Sequence, residues 1–377
     1  IDGKTLTEFG SSQKGETRIL HRENKEMETN WKLLIPKLVV ALTLASGVLL
    51  SVCLSRTGES TIFNYPVSHL PPEDFPEVPQ ERLMIRKKYL EDSLLAAMKD
   101  MGYSYQTDGS VLDLILRANF TDVWLDFIQR MRMKIQSVKL IAQGESEKYP
   151  LAHYKTCAVV SSAHELLGSK LGRHIDLNEA VFRSNNAFTE GFETDVGSKT
   201  DFHLLNNHMI ANIFKNKSLG PLRANNTFIS YTECLEDSDS VFDCKKDDLV
   251  TSQASSLPMI FDDLKLHIIS PEFYLNTKKM FAEVTHELKS PYPTTGFLSL
   301  VLAMLHCDVV HAYGFIAGEY RPQCHYYSKD DEENCGFALW FHPRHVEKAL
   351  MIRLGQADPK MIYGHNVIKF ISLKNSN

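Results

Sequence analysis

The sequence predicts an α/β protein: a mainly parallel sheet flanked by helices, carried behind an N-terminal transmembrane helix. Two patterns predict the sheet. Short apolar runs such as Cys157-Ala-Val-Val160 alternate with helical segments, the βαβ rhythm of parallel sheets covered on both faces. These runs stop in small polar residues, Ser161-Ser162, Ser184-Asn185 and Asn206, where open parallel sheets gather their ligands. The third observation, an uncharged apolar run near the N-terminus, predicts the membrane helix.

That run is Leu38–Leu54, 17 residues without a charge. As a helix it reaches roughly 26 Å at about 1.5 Å per residue, enough for a thin bilayer. Trp31 sits where an interfacial aromatic would, and Arg56 follows with no small-residue cleavage site. Lys25, Lys32 and Lys37 precede the span, so residues 1–37 are expected in the cytosol and the bulk of the chain on the lumenal side. Residues 1–26, ahead of Met27 in a chain that opens on isoleucine, need not be native and are left out of the fold reasoning.

The segment after the span agrees with that side of the membrane. It holds three N-x-S/T sequons, at Asn119, Asn216 and Asn225. It also holds six cysteines, Cys157, Cys234, Cys244, Cys307, Cys324 and Cys335, an even number suited to an oxidising compartment. The net charge of −6 offers no basic excess for phosphate backbones, so nucleic acid is excluded as a partner.

Pro66, Pro71, Pro72, Pro76 and Pro79 make residues 55–80 an extended stem, leaving 81–377 as the folded lumenal domain. Its first helix starts at Gln80, with Leu83, Leu90, Leu94, Ala97, Met98 and Met101 on one face and Gly102 able to end it. A second helical stretch is expected from about Val111 to Ile141. Strands follow at 157–160, in Glu179–Ala187, in Phe202–His208, at 264–270 and at 309–315, with helices around 275–288 and 297–306. Residues 216–258 are polar and carry no assignable pattern.

Three clusters could carry chemistry. Tyr292-Pro-Thr-Thr-Gly-Phe297 introduces a helix, where hydroxyls and backbone N–H groups cap the helix or bind an anion. Cys324-His-Tyr-Tyr327 is a polar-aromatic cluster that Cys335 lies close enough to staple. Phe341-His-Pro-Arg-His-Val-Glu-Lys348 sets a histidine before proline and a carboxylate on the following helix, a pattern suited to a held general base. Spacing does not choose between His342 and His345. Asp237-Ser-Asp239, a literal D-x-D, lies in an acidic stretch and reads as a solvated loop.

Together these segments resemble the animal-type sialyltransferases, most closely those acting on β-galactosides in α-2,6 linkage. The large motif is similar to 157–206 ("CAVVSSA", "LGRHID", "FRSNNA", "DVGSKT") and the small one to 293–315. The third resembles "HYY" at 325–327, and the very small one His342 with Glu347. "AYGF" and "HYY" also resemble the branches acting on N-acetylgalactosamine or sialic acid. Ser328 and Phe341 depart from the usual residues at their positions, the features that would suit the alternative of a catalytically degenerate, glycan-binding relative.

The resemblance implies a variant GT-A, Rossmann-like fold, the donor CMP-sialic acid, an inverting mechanism, no metal, and a Golgi type II location. It implies Ser162, Asn185 and Asn206 at the nucleotide, and Thr294, Thr295 and Gly296 at the phosphate or sialic carboxylate. His325 and Tyr326 would assist the leaving group, and His342 would be the base, supported by Glu347 and Lys348. It pairs Cys157 with Cys307 and Cys324 with Cys335; Cys234 and Cys244, which have no motif counterpart, are expected to bridge locally. The expected partners are glycan acceptors on glycoproteins or glycolipids, with a homodimer left open.

Overall fold

A computed structural model describes Phe75 and residues 77–100, 110–135, 152–223, 225–231, 249–262, 264–285, 292–316, 327, 342–356 and 358–371. The chain divides into Ile1–Ser68 and His69–Asn377, and every described residue belongs to the second unit. The predicted span 38–54, the D-x-D, Cys234, Cys244, Cys324, Cys335, His325 and Tyr326 lie outside the described residues. Among the described residues no helix is long and apolar enough to cross a membrane.

Seven strands form one sheet. They are β1 (Tyr154–Val160), β2 (Ala180–Ser184), β3 (Phe202–Leu205), β4 (Thr227–Tyr231), β5 (Leu266–Ile269), β6 (Cys307–Tyr313) and β7 (Val367–Ile371), in the order β5-β4-β3-β2-β1-β6-β7. All neighbours are parallel except β6 and β7. β1 and β2 are buried along almost their whole length, which is why they carry the apolar runs Cys157–Val160 and Ala180–Phe182. The strand order reverses beside β1, so β1 and β6 open a crevice at their carboxyl ends.

The helices that matter for the site are α1 (Gln80–Asp100), α2 (Val111–Ile115), α3 (Phe120–Ile135), α4 (Gly172–Asp176), α5 (Glu193–Val196), α6 (Asn207–Asn216), α7 (Leu249–Ser256), α8 (Pro271–Val284), α9 (Thr295–His306) and α10 (Arg344–Leu354). α9 is apolar all round and buried along nearly its whole length. Such a helix needs cover on every side. β1, β2 and β6 lie under it, while Phe297 meets Trp124 of α3 edge-on at 6.2 Å and Phe281 of α8 at 4.9 Å. Each buried Leu, Val or Phe there contributes about 1.5–3 kcal/mol.

Cys157 of β1 and Cys307, where α9 turns into β6, are joined in a disulfide. Both are fully buried. The bond therefore staples the first strand of the large motif to the end of the helix that the threonine turn begins.

The structure corrects two expectations and adds one strand. The helix expected over 111–141 breaks between α2 and α3. At the break Leu116 is extended and bridges Thr285, while Arg117 donates from its backbone to Val284 and from Nε to the Thr285 carbonyl. The segment 216–258 is not without structure: it contributes β4, set between β3 and β5, and α7. The antiparallel edge strand β7 was not expected at all.

Candidate active site

The crevice is lined by loops that leave the carboxyl ends of the strands. At the end of β1, Ser161 donates its hydroxyl to the Gly314 carbonyl at 2.8 Å and accepts from the Ala163 amide. Gly314 has φ +78°, and a Cβ there would stand 2.5 Å from the Ser161 hydroxyl and 2.7 Å from Leu166. Only glycine fits that close approach. Ser162 follows, and its carbonyl accepts from the Tyr327 amide at 2.9 Å, which brings the end of the HYY segment to the crevice. The Tyr327 ring is buried among Phe188 and Phe192, and its hydroxyl donates to the Phe188 carbonyl.

β2 ends in Ser184-Asn185 and β3 in Asn206. The Asn185 side chain joins three segments: its amide nitrogen donates to Thr295 Oγ1 at 3.1 Å, and its Oδ1 accepts from the Asn206 backbone at 3.0 Å. Asn206 caps α6, with its Oδ1 accepting from Met209. Ser184 shares a hydrogen bond with Ser299 one turn into α9. Tyr231 of β4 reaches Thr295 Oγ1 at 2.9 Å.

The threonine turn begins α9. Thr294 is its N-cap, accepting from the Phe297 amide at 3.1 Å. Both its amide and its hydroxyl donate to Glu347, each at 2.7 Å. The Thr294 and Thr295 hydroxyls are therefore engaged within the protein. The Thr295 and Gly296 amides have no acceptor among the described residues. A Cβ on Gly296 would meet the Phe315 ring at 3.0 Å, so the backbone here is closely packed from the β6 side. Two amides without an acceptor among the described residues, at the positive end of a 12-residue helix, are suited to an anion.

His342 sits on the same turn. Its Nδ1 donates to the Tyr292 carbonyl at 2.8 Å, which fixes the tautomer: a carbonyl only accepts, so Nδ1 carries the proton and Nε2 keeps its lone pair. Burial, helped by Arg344, pulls the imidazolium below its ordinary value, with the Tyr292 bond pulling the other way. His342 is thus neutral and able to take a proton at pH 7. The structure joins His342, rather than His345, to the threonine turn.

Glu347 of α10 is the second clamp between these segments. Burial pushes its carboxyl up to about 7, while the two Thr294 donors pull it down. Lys348 follows, and burial pulls its ammonium down to about 8 against the attraction of Glu165. Replacing Glu347 by alanine strands two Thr294 donors, an expected loss of about 2–3 kcal/mol. The Glu347→Gln protein supplies the sign of the pH effect. The folded carboxyl titrates above its unfolded value of 4.5, so ionising it costs the folded state. Wild type should therefore gain stability relative to Glu347→Gln as pH falls from about 7 to 4.5, as urea unfolding at each pH can read.

The described part of the site thus brings Ser162, Asn185, Asn206, Thr294, Thr295, Gly296, His342 and Glu347 to one end of the sheet. Asn119, Asn216 and Asn225 are all exposed, away from the buried core. Tyr231, Ser299 and the Glu347–Thr294 clamp were not anticipated. Tyr231 lies in the segment without a readable pattern, and a carboxylate's partner has no signature in spacing.

The model of glycosyltransferase family 29 (sialyltransferase) matches residues 114–358. The chain belongs to this family. The matched span runs from α2 past α10 and so includes the whole crevice. Curated relatives include β-galactoside α-2,6-sialyltransferase 2 of Xenopus tropicalis, 31% identical over 207 residues, which are 54% of this chain and 40% of that protein. The Rattus norvegicus protein of that name is 32% identical over 216 residues, 54% of this chain and 40% of its own. Human β-galactoside α-2,6-sialyltransferase 1 is 29% identical over 222 residues, 58% of this chain and 54% of its own. The chain spans about half the length, or less, of these relatives. Among solved structures it is similar to a mammalian sialyltransferase in complex with Gal-β-1-3GalNAc-ortho-nitrophenol, at TM-score 0.38 and 20% identity, covering 71% of this chain and 82% of that one. The fold described above stands on its own strand order and register, not on that overlap.

Proposed function

We propose that this family 29 chain transfers sialic acid from CMP-sialic acid to a glycan hydroxyl, by an inverting displacement that needs no metal, on a variant GT-A fold. The observation that carries the reading is the His342 bond to Tyr292. It sets a neutral imidazole, its proton on Nδ1 and its lone pair on Nε2, against the turn that opens α9 with two amides that have no acceptor among the described residues. The acceptor hydroxyl attacks the anomeric carbon while His342 Nε2 takes its proton. The bond to the CMP phosphate breaks, and negative charge grows on that phosphate. The amides of Thr295 and Gly296 and the positive end of α9 stabilise it. Asn185, Asn206 and Ser162 line the place for the nucleotide, and His325 and Tyr326 assist its departure. Terminal galactose in α-2,6 linkage is the favoured acceptor, the activity that the relatives' names carry. The enzyme is placed in the Golgi membrane, spanning once with its folded domain in the lumen.

The test is incubation of the full chain in detergent with CMP-sialic acid and glycans ending in galactose, N-acetylgalactosamine or sialic acid, followed by linkage analysis. An α-2,6 product on galactose is expected. A product confined to another sugar moves the chain to another branch, and no product on any acceptor refutes the activity. The acid limb of kcat/KM should fall below pH 6.5, the ordinary imidazole value, because the base is held neutral by burial. A limb at or above that value contradicts the assignment.

A further inference from the structure

β3 carries a histidine inside an apolar run, and the chemistry above does not use it. His203 is 1% exposed. Register sets it beside Arg183 of β2. Both therefore lie on the sheet face opposite Phe182, Phe202 and Leu204, which join the core around α9. Its Nε2 stands 2.5 Å from the backbone carbonyl of Asn185. Because the carbonyl only accepts, Nε2 carries the proton and Nδ1 is a bare lone pair. Nδ1 has no hydrogen-bond partner among the described residues. The one bond this buried ring makes there goes to Asn185.

Asn185 is a residue whose backbone needs holding. Its φ is +48°, the left-handed region, which asparagine tolerates but does not prefer. Residues kept in that region persist where their surroundings over-determine them. In this conformation the Asn185 amide spans Thr295 and Asn206, at 3.1 and 3.0 Å, so one side chain ties the ends of β2 and β3 to the start of α9. A rotation about the Asn185 N–Cα bond, the angle held at +48°, would carry the carbonyl off His203 and this side chain off both partners together.

We propose that His203 is a positioning residue: its Nε2–H grips the Asn185 carbonyl, fixes the left-handed turn, and so sets the amide that organises the nucleotide side of the crevice. The inference rests on the reading of that crevice as a CMP site. Burial brings the imidazolium down to about 4, with the Asn185 bond opposing and Arg183 adding to the fall. His203 is therefore a fixed neutral donor at any pH the enzyme meets, and its replacement acts through geometry rather than charge.

Two amide substitutions separate this role from filling space. Glutamine can place its side-chain nitrogen where Nε2 lies; asparagine reaches only to the region of Nδ1. Titration calorimetry with CMP on the full chain in detergent should give His203→Gln within about twofold of wild type and His203→Asn about tenfold weaker, the net worth of one hydrogen bond. In an Asn185→Ala background the His203→Asn change should cost no further affinity. Equal affinity in the Gln and Asn proteins overturns the proposal while wild-type binding keeps the site reading intact. Should the Asn protein not fold, the Gln protein decides alone, and CMP binding about tenfold below wild type overturns the proposal. A wild-type protein that binds no CMP overturns the site reading and this inference with it.

Discussion

Replacing His342 by alanine is expected to lower kcat for sialyl transfer by about 10²–10⁴-fold while CMP affinity holds. On the proposed mechanism the loss belongs to the transition state, because Nε2 would act only as the acceptor hydroxyl gives up its proton. The pocket should survive the change. Glu347 still ties α10 to Thr294 through two bonds, and Asn185 still ties Thr295 to the strand ends. The ring also holds the Tyr292 carbonyl, so alanine removes a positional bond together with the base. His342→Asn separates the two: its amide can replace Nδ1 as donor to Tyr292 but provides no base. An equal loss of kcat in the Asn and Ala proteins assigns the effect to proton transfer. Substantial recovery in the Asn protein would mean that the ring mainly positions the turn.

The second large effect is on stability. Cys157→Ser should lower the unfolding free energy by about 4–5 kcal/mol, the chain-entropy worth of closing so long a loop. The two cysteines stand 150 residues apart in sequence and are fully buried. The serine hydroxyl at 157 would sit among core residues of β1 and α9, which adds to the loss. Denaturant midpoints of wild type and variant measure it. A difference under about 1 kcal/mol would place the pair outside the set of core-forming contacts.

How far the sequence foretold this can be followed residue by residue. β1 was legible because a central parallel strand is apolar along its whole length, and Cys157-Ala-Val-Val160 has no other reading between polar neighbours. α9 was legible for a similar reason: Phe297–His306 is too apolar to be anything but buried. The polar strand ends were legible because small side chains interrupt those runs abruptly. β4 was not, since Thr227-Phe-Ile-Ser-Tyr231 is short, set in a polar segment, and owes its place to the flanking strands β3 and β5. β7 is an edge strand whose Lys369 breaks the apolar run, so only its pairing with β6 defines it.

The site divides the same way. Spacing placed a histidine and a carboxylate near one helix start, and left His342 and His345 as rivals. The Tyr292 carbonyl ties His342 to the segment of the threonine turn, and a backbone acceptor fifty residues away leaves no mark in sequence. The threonine hydroxyls were read as ligand contacts or caps. Their engagement with Glu347, Asn185 and Tyr231 makes them joints between segments, so the proposed anion contact is given to the amides of Thr295 and Gly296. Buried polar networks of this kind are set by tertiary contact, which no local pattern encodes.

The most direct test of the account is CMP release by the full chain from CMP-sialic acid, with a desialylated glycoprotein acceptor and a metal chelator present, for wild type and His342→Ala side by side. Acceptor-dependent release by wild type and near silence from the variant, which still binds CMP, is the predicted result. Equal rates from the two proteins would contradict it.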